Sequence, residues 1–281
     1  MREIHVEQII SAVEKLCIES NIRLPSDVKQ ALKKAAKKET SPLGKQIIKD
    51  ILRNSEIAEQ KNIPICQDTG FAVFFLKLGN EVKVVGGNII DAINEGVRRG
   101  YSNGYLRKSI VTDPFLTRKN TGDNTPAVIH TELVTGNKIN ITIAPKGGGS
   151  ENMSALRMLK PADGIEGVKK FVLQTIDKAG PNPCPPIIVG IGIGGTIEVA
   201  TLIAKKALLR PIGQHHPQTE VAKFEEQLLN EINKLGIGPQ GFGGTSTALA
   251  VNIETFPAHI ASLPVAVNIQ CHVARHMEIE I

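Results

Sequence analysis

Apolar positions near the start of the chain recur at a helical period. Ile9, Ile10, Val13, Leu16 and Cys17 share one face of a helix over residues 4–18, which makes Cys17 a core residue. Ser26 can cap a second helix running to about Glu39, and Ser41-Pro42 opens a third reaching about Gln60. The apolar residues of the third, Leu43, Ile47, Ile48, Ile51 and Leu52, keep helical spacing. The first 60 residues therefore read as a helical lobe. Phe71 to Leu78 then forms a continuous apolar run, as in a buried strand, and Asn88 to Arg99 a helix stopped by Gly100. Ala127 to Val134 and Lys138 to Ala144 flank Thr135-Gly136-Asn137, which predicts a hairpin. Beyond it come a helix over Gly164 to Ala179, a strand over Ile187 to Ile193, helices over Thr196 to Leu209 and Thr219 to Leu235, and a strand-rich tail from Thr247. The sum is an α/β (α+β) chain with mixed sheets, read as one domain over 1–281 with a helical lobe at about 1–60, and no internal repeat is visible.

Composition narrows the classes of function. The chain has 281 residues, 41% of them hydrophobic and 22% charged, as expected of an ordinary folded protein with a sizeable core. The longest apolar stretch, Ile187 to Ile203, is broken by glycines, Thr196 and Glu198, so no membrane span is expected. The N-terminus mixes acids and bases without a signal-like apolar core, which points to the cytoplasm. The net charge of +5 is spread through lysine-rich helices without interleaved aromatics, so no nucleic-acid partner is expected. Four cysteines in a chain of this size do not suggest a disulfide framework, leaving thiol chemistry or metal binding.

Two of the cysteines lie in loops shaped by proline, Ile63-Pro64-Ile65-Cys66 and Asn182-Pro183-Cys184-Pro185-Pro186, which cannot be helix interiors. A third, Cys271, precedes His272. The three are far apart in sequence, unlike the clustered ligands of electron-transfer ferredoxins, so unconnected thiols, a zinc site using Cys271, His272 and His276, and an iron-sulfur cluster all stay open at this point. Gly190-Ile191-Gly192-Ile193-Gly194-Gly195 has the form of a dinucleotide-binding turn, but no acidic residue ends a second strand where the ribose would need one. These glycines more naturally let a strand turn sharply into a helix beside a bulky group. Lys146-Gly147-Gly148-Gly149-Ser150-Glu151-Asn152 exposes consecutive amides that suit a carboxylate, or else forms a plain turn.

Taken in order, Ile65-Cys66-Gln67-Asp68-Thr69-Gly70, the Lys146–Asn152 run, Asn182–Pro186, the Gly190–Thr196 run and Asn268-Ile269-Gln270-Cys271-His272 resemble the motifs of class I fumarate hydratases and L-tartrate dehydratases. The resemblance spans nearly the whole chain and is to the alpha subunit of the two-subunit form, equivalent to the N-terminal half of single-chain relatives. It implies cluster-binding loops between lobes, with Cys66, Cys184 and Cys271 holding a four-iron four-sulfur cluster that leaves one iron open to substrate. It implies substrate contacts from Gln67, Arg107, the Gly148 amide and His259, with Asp68 as the proton-transfer residue at the leaving oxygen. An Asx turn before Thr69-Gly70 is the alternative role for Asp68. His130 and His272 have weaker claims, as supporting residues.

The same resemblance implies a hetero-oligomer in which a separate beta subunit completes the pocket, and an oxygen-sensitive hydro-lyase that interconverts fumarate and (S)-malate. L-tartrate dehydratase is the nearest alternative, differing by one hydroxyl on the substrate. A sensor or interaction subunit, with cysteines answering to oxidants and no substrate, is the alternative of another class.

Overall fold

The computed structural model describes residues 1–281. In chain order the elements are β1 (Arg2–His5), α1 (Val6–Ile22), α2 (Ser26–Lys38), α3 (Pro42–Lys61), β2 (Phe71–Gly79), β3 (Val82–Val85) and α4 (Ile89–Asn103). They continue with β4 (Val128–Val134), β5 (Ile139–Lys146), the single turn α5 (Gly148–Glu151), β6 (Ala155–Leu159), α6 (Gly164–Ala179) and β7 (Ile187–Gly194). The last are α7 (Ile197–Ala207), α8 (Thr219–Lys234), β8 (Ala248–Phe256), β9 (Leu263–Gln270) and β10 (Met277–Glu280). This is an α/β chain with mixed sheets, as its periodicity predicts. No helix is long and apolar enough to cross a membrane.

The elements fall into two compact units that are not consecutive in sequence. Unit 1 takes Met1–Pro25, Ser55–Gly148 and Arg275–Ile281, and unit 2 takes Ser26–Asn54 and Gly149–Ala274. The helices of the first 61 residues are thus shared: α1 belongs to unit 1, α2 to unit 2, and α3 carries the chain from one to the other.

Unit 1 is built on a four-stranded sheet in the order β10-β5-β2-β4, with β2 parallel to β4 and antiparallel to β5, and β10 antiparallel to β5. The continuous apolar run of β2 is explained by its central place, since Ala72, Val73, Phe74 and Leu76 are all buried. The expected hairpin between β4 and β5 does not form, because β2 lies between them. The Thr135-Gly136-Asn137 turn instead wraps the end of β2, with Glu81 donating its amide to the Gly136 carbonyl.

Helix α1 packs its Ile9, Ile10, Val13, Leu16 and Cys17 face into the same core as the buried residues of α4. Asn88 caps α4, its Oδ1 accepting from the Ile90 amide at 2.7 Å. That helix runs past Gly100, where a stop was expected, and ends at Gly104. A Cβ at Gly100 would lie 2.7 Å from Cys17 Cβ, and one at Gly96 2.6 Å from Val13 Cβ. Gly100 is therefore a contact glycine that lets two helices approach, and not a terminator.

Unit 2 holds a second four-stranded sheet, β6-β9-β7-β8, with β7 parallel to β8 and antiparallel to β9, and β6 antiparallel to β9. Its pairing reads antiparallel, antiparallel, parallel across the sheet, as in unit 1. In both, a central strand leads through helix, in unit 1 after the short β3, to a parallel neighbour and then to an antiparallel return on the other side. No trace of that recurrence is visible in the residues. Helices α6 and α8 bury Val168, Phe171, Ile176, Phe224, Leu228 and Ile232 against the sheet.

The α2–α3 connection is fixed within unit 2 by Glu39, which is 1% exposed. Its carboxylate accepts from the amides of Thr40 (2.8 Å), Ser41 (2.9 Å), Thr245 (3.0 Å) and Ser246 (2.8 Å). Burial pushes this carboxyl up, and the amide donors, Ser41 and Thr245 foremost, outweigh it and hold it at about 2. The folded value lies below the ordinary 4.5, so this stabilisation is fully present above about pH 4.5 and is lost as pH falls towards 2. Glu39→Gln should cost about 2 kcal/mol at neutral pH and flatten the acid limb of the stability curve, as read by urea unfolding across that range. An unaltered acid limb would remove Glu39 as its cause.

Candidate active site

The chain leaves α3 through Ile63-Pro64-Ile65 and turns sharply over Cys66 to Gly70 in unit 1. The Cys66 thiol donates to Gln67 Oε1 and accepts from the Asp68 amide, both at 3.4 Å. Asp68 Oδ1 accepts from the Gly70 amide at 3.0 Å, an Asx turn, and Oδ2 accepts from the Gly148 amide at 2.8 Å. The organising and chemical roles foreseen for Asp68 are thus compatible: its carboxylate shapes the loop while facing a cleft. Gly147 and Gly70 are demanded by this closeness. A Cβ on Gly147 would lie 3.0 Å from Asp68 Oδ2, and Gly70, at φ +70°, would drive one into the Lys146 carbonyl.

Three buried side chains hold the loop from behind. The Tyr101 hydroxyl is shared between the carbonyls of Thr69 and Gly70, each at 3.0 Å, and Asn124 Nδ2 donates to the Gly70 carbonyl at 3.2 Å. Arg275 Nη2 donates to the Asp68 carbonyl. Burial pushes the Tyr101 phenol well up, so it stays a neutral donor. Asn124 also receives the Ser109 amide at 2.7 Å, and Thr69 Oγ1 donates to the Arg107 carbonyl at 2.9 Å, which ties the 105–124 segment to the loop.

In front of the loop lies a cleft of about 220 Å³, lined by Asp68, Gly70, Arg107 and Gly148 together with Phe71, Ser109 and Lys146. Three of the residues expected from sequence, Asp68, Arg107 and Gly148, therefore converge within one unit, with Gln67 on the same loop. A guanidinium and a main-chain amide suit a carboxylate, and a nearby carboxyl suits proton transfer. Phe71, Ser109 and Lys146 were not expected as lining residues, although the spacing of Ser109 two positions from Arg107 in an extended segment was available as a signal. Tyr101, Asn124 and Arg275 were missed altogether, being isolated residues whose roles arise only on folding.

Unit 2 carries the other two loop cysteines. Cys184 takes φ 55°, a left-handed value rare for a side-chain-bearing residue, and is exposed. Cys271 directly follows β9, and the next residue stitches its loop to the first: His272 donates its amide to the Cys184 carbonyl at 3.3 Å, and its Nδ1 lies 3.0 Å from the same oxygen. Gln240 Nε2 is 3.0 Å from that ring nitrogen. His259 sits in the exposed turn between β8 and β9, where its Nδ1 accepts from the Ala261 amide at 3.1 Å.

The remaining candidates find structural roles. Cys17 is fully buried, and burial pushes its thiol up beyond reactivity. His130 stacks against Phe75 with ring centroids 5.2 Å apart. No group of three or more His, Cys, Asp or Glu side chains is gathered as for a metal ion. A Cβ on Gly190 or Gly192 would strike the backbone of α7, at Ala204 and Ala200, so those glycines admit a close helix. Gly194 and Gly195, at φ +97° and +69°, make the turn into it.

A cleft that pairs a guanidinium with a carboxyl on a cysteine-bearing loop suits a carboxylate ligand. The family model described as fumarate hydratase (Fumerase) matches residues 10–280. A putative L(+)-tartrate dehydratase subunit alpha of Methanocaldococcus jannaschii is 50% identical over 272 residues, 94% of each chain. The L(+)-tartrate dehydratase subunit alpha of Escherichia coli K12 is 35% identical over 268 residues, covering 95% of this chain and 88% of the relative. The chain is a hydro-lyase. It belongs to the fumarate hydratase family.

Thiol reactivity should follow this placement. Maleimide labelling of the metal-free native chain, followed by peptide mass spectrometry, should modify Cys184 first and leave Cys17 unmodified until the protein is denatured. Early labelling of Cys17 would contradict its place in the core.

Proposed function

We propose that this chain is the alpha subunit of an iron-sulfur hydro-lyase that interconverts fumarate and (S)-malate with a separate beta subunit. The observation that carries the reading is the convergence of Asp68, Arg107 and the Gly148 amide on one cleft. Arg107 binds and orients a substrate carboxylate, as a guanidinium does with two parallel donors. Gln67 and His259 add hydrogen bonds to the substrate. Asp68 handles the proton at the leaving hydroxyl, or at the attacking water in the reverse direction. The Gly148 amide, which Asp68 engages in this structure, is the donor that a substrate carboxylate would compete for.

Cys66, Cys184 and Cys271 would hold a four-iron four-sulfur cluster. The donor set suits it: all three thiols lie on loops outside the apolar core, unlike Cys17, and the Asp68 amide already donates to the Cys66 sulfur, as it would to a thiolate. The cluster, with one iron open, would supply Lewis acidity towards the substrate's oxygens. A hetero-oligomer is supported by the alpha-subunit names of the relatives, and a cytoplasmic setting suits an oxygen-sensitive centre. The two compact units then work as one domain, the whole of residues 1–281 forming the cluster-binding subunit.

Those names also favour L(+)-tartrate as an alternative substrate. The two diacids differ by one hydroxyl, and a pocket that gives this hydroxyl a polar partner discriminates strongly. The carboxylate-binding cleft weighs against a pure sensor, which needs no substrate site.

Iron and acid-labile sulfide in the anaerobically purified chain test the cofactor. About four of each per chain are expected, lost in Cys66→Ala, Cys184→Ala and Cys271→Ala and kept in Cys17→Ala. No iron or sulfide after anaerobic reconstitution would sink the cluster reading. Turnover of malate and tartrate, measured side by side in the reconstituted complex, should favour malate, with little activity from the alpha chain alone. Preference for tartrate would hand the assignment to the alternative, and full turnover by the isolated chain would remove the partner.

A further inference from the structure

One of the three side chains behind the Cys66–Gly70 loop carries a charge. Arg275 is 3% exposed, its Nη2 donates to the Asp68 carbonyl, and its Nε and Nη1 have no hydrogen-bond partner. The contrast within the chain is Arg210, a second sequestered guanidinium, which is paired with Glu225 at 2.7 Å and Glu254 at 2.8 Å. A buried cation whose bond is to a main-chain carbonyl is expensive, and an apolar side chain of similar volume would fill the space at lower cost. What an apolar replacement cannot do is hold that carbonyl with a charge-assisted hydrogen bond.

The consequence falls on Asp68. Its main chain is drawn inward by Arg275, while its carboxylate is held on the cleft side by the Gly70 and Gly148 amides at 3.0 and 2.8 Å. Tyr101 and Asn124 hold the next two carbonyls from the same side, so the direction of the Asp68 side chain is set by what its peptide is tied to. We propose that Arg275 is a positioning residue that aims the Asp68 carboxylate into the cleft. It touches neither substrate nor cofactor, and it acts through the Asp68 carbonyl. The assignment rests on the reading of Asp68 as the proton-transfer group.

The test uses the reconstituted complex, with Arg275→Met and Arg275→Lys beside Asp68→Asn. Arg275→Met should lower kcat by about tenfold or more with KM within about threefold and iron content per chain unchanged, because a misaimed group loses rate more than binding. It should also speed amide exchange in the peptide spanning residues 66–70. Arg275→Lys, which keeps a charged donor, should recover part of the rate, and it carries the same test if the methionine variant does not fold. Unchanged kcat and unchanged amide exchange in both Arg275 variants, with Asp68→Asn impaired, overturns the positioning role alone. Loss of rate only in proportion to lost iron overturns it too, by showing mere support of the fold. Wild-type turnover by Asp68→Asn overturns the reading of Asp68 itself, and the assignment of Arg275 falls with it.

Discussion

Three consecutive carbonyls, those of Asp68, Thr69 and Gly70, are bound from the interior of unit 1 by Arg275, Tyr101 and Asn124. The geometry of the candidate site depends on this constraint. A segment between Pro64 and β2 has no ladder of its own, so its main-chain groups must find partners elsewhere or face water. With the carbonyls turned inward, the Cys66 sulfur and the Asp68 carboxylate are free to be organised by amides on the other side. The loop is thus rigid because of its peptide groups, and its chemistry is left to its side chains.

The same economy shapes the cleft. Glycine is needed at 70 and 147 because the peptide of Lys146 and the carboxylate of Asp68 come too close for a Cβ. The single helical turn that begins at Gly148 then offers an amide to a carboxylate, and Arg107 supplies the cation in the same cleft. In unit 2 the loops of Cys184 and Cys271 are likewise joined through main-chain atoms, by His272. Loops that carry function here are fixed by backbone bonds, which tolerate change in side chains that touch nothing.

Much of this was legible in the residues, and the failures have physical reasons. The helices over Val6–Ile22, Gly164–Ala179 and Thr219–Lys234 follow the period of their apolar residues closely, since each buries one stripe. The β4–β5 hairpin was misjudged because a short glycine turn between two apolar runs ordinarily pairs them. Here the more apolar β2, which buries Ala72, Val73, Phe74 and Leu76, claims the place between. Gly100 imitated a helix end, and only the approach of Cys17 from α1 shows why it is glycine. The short strands β1, β3 and β6 carry too few residues to show a period. Asp68, Arg107 and Gly148 could be named from motif resemblance, whereas Arg275, three residues beyond the last of those motifs, had no local pattern to betray it.

The interleaving of the two units has a consequence for the order in which the molecule comes into being. The sheet of unit 1 is closed on one side by β10, against β5, and its loop clamp includes Arg275; both come from the segment 275–281. Every other strand of that sheet has been made before residue 147. During synthesis, β5 must therefore wait as an unprotected edge while the Gly149–Ala274 part of unit 2 emerges, a situation that invites mispairing with other chains. The segment after Ala274 belongs to unit 1. Arg275 is made after every other residue that binds the carbonyls of the Cys66–Gly70 loop, so that set of bonds is complete only in a molecule translated through residue 275.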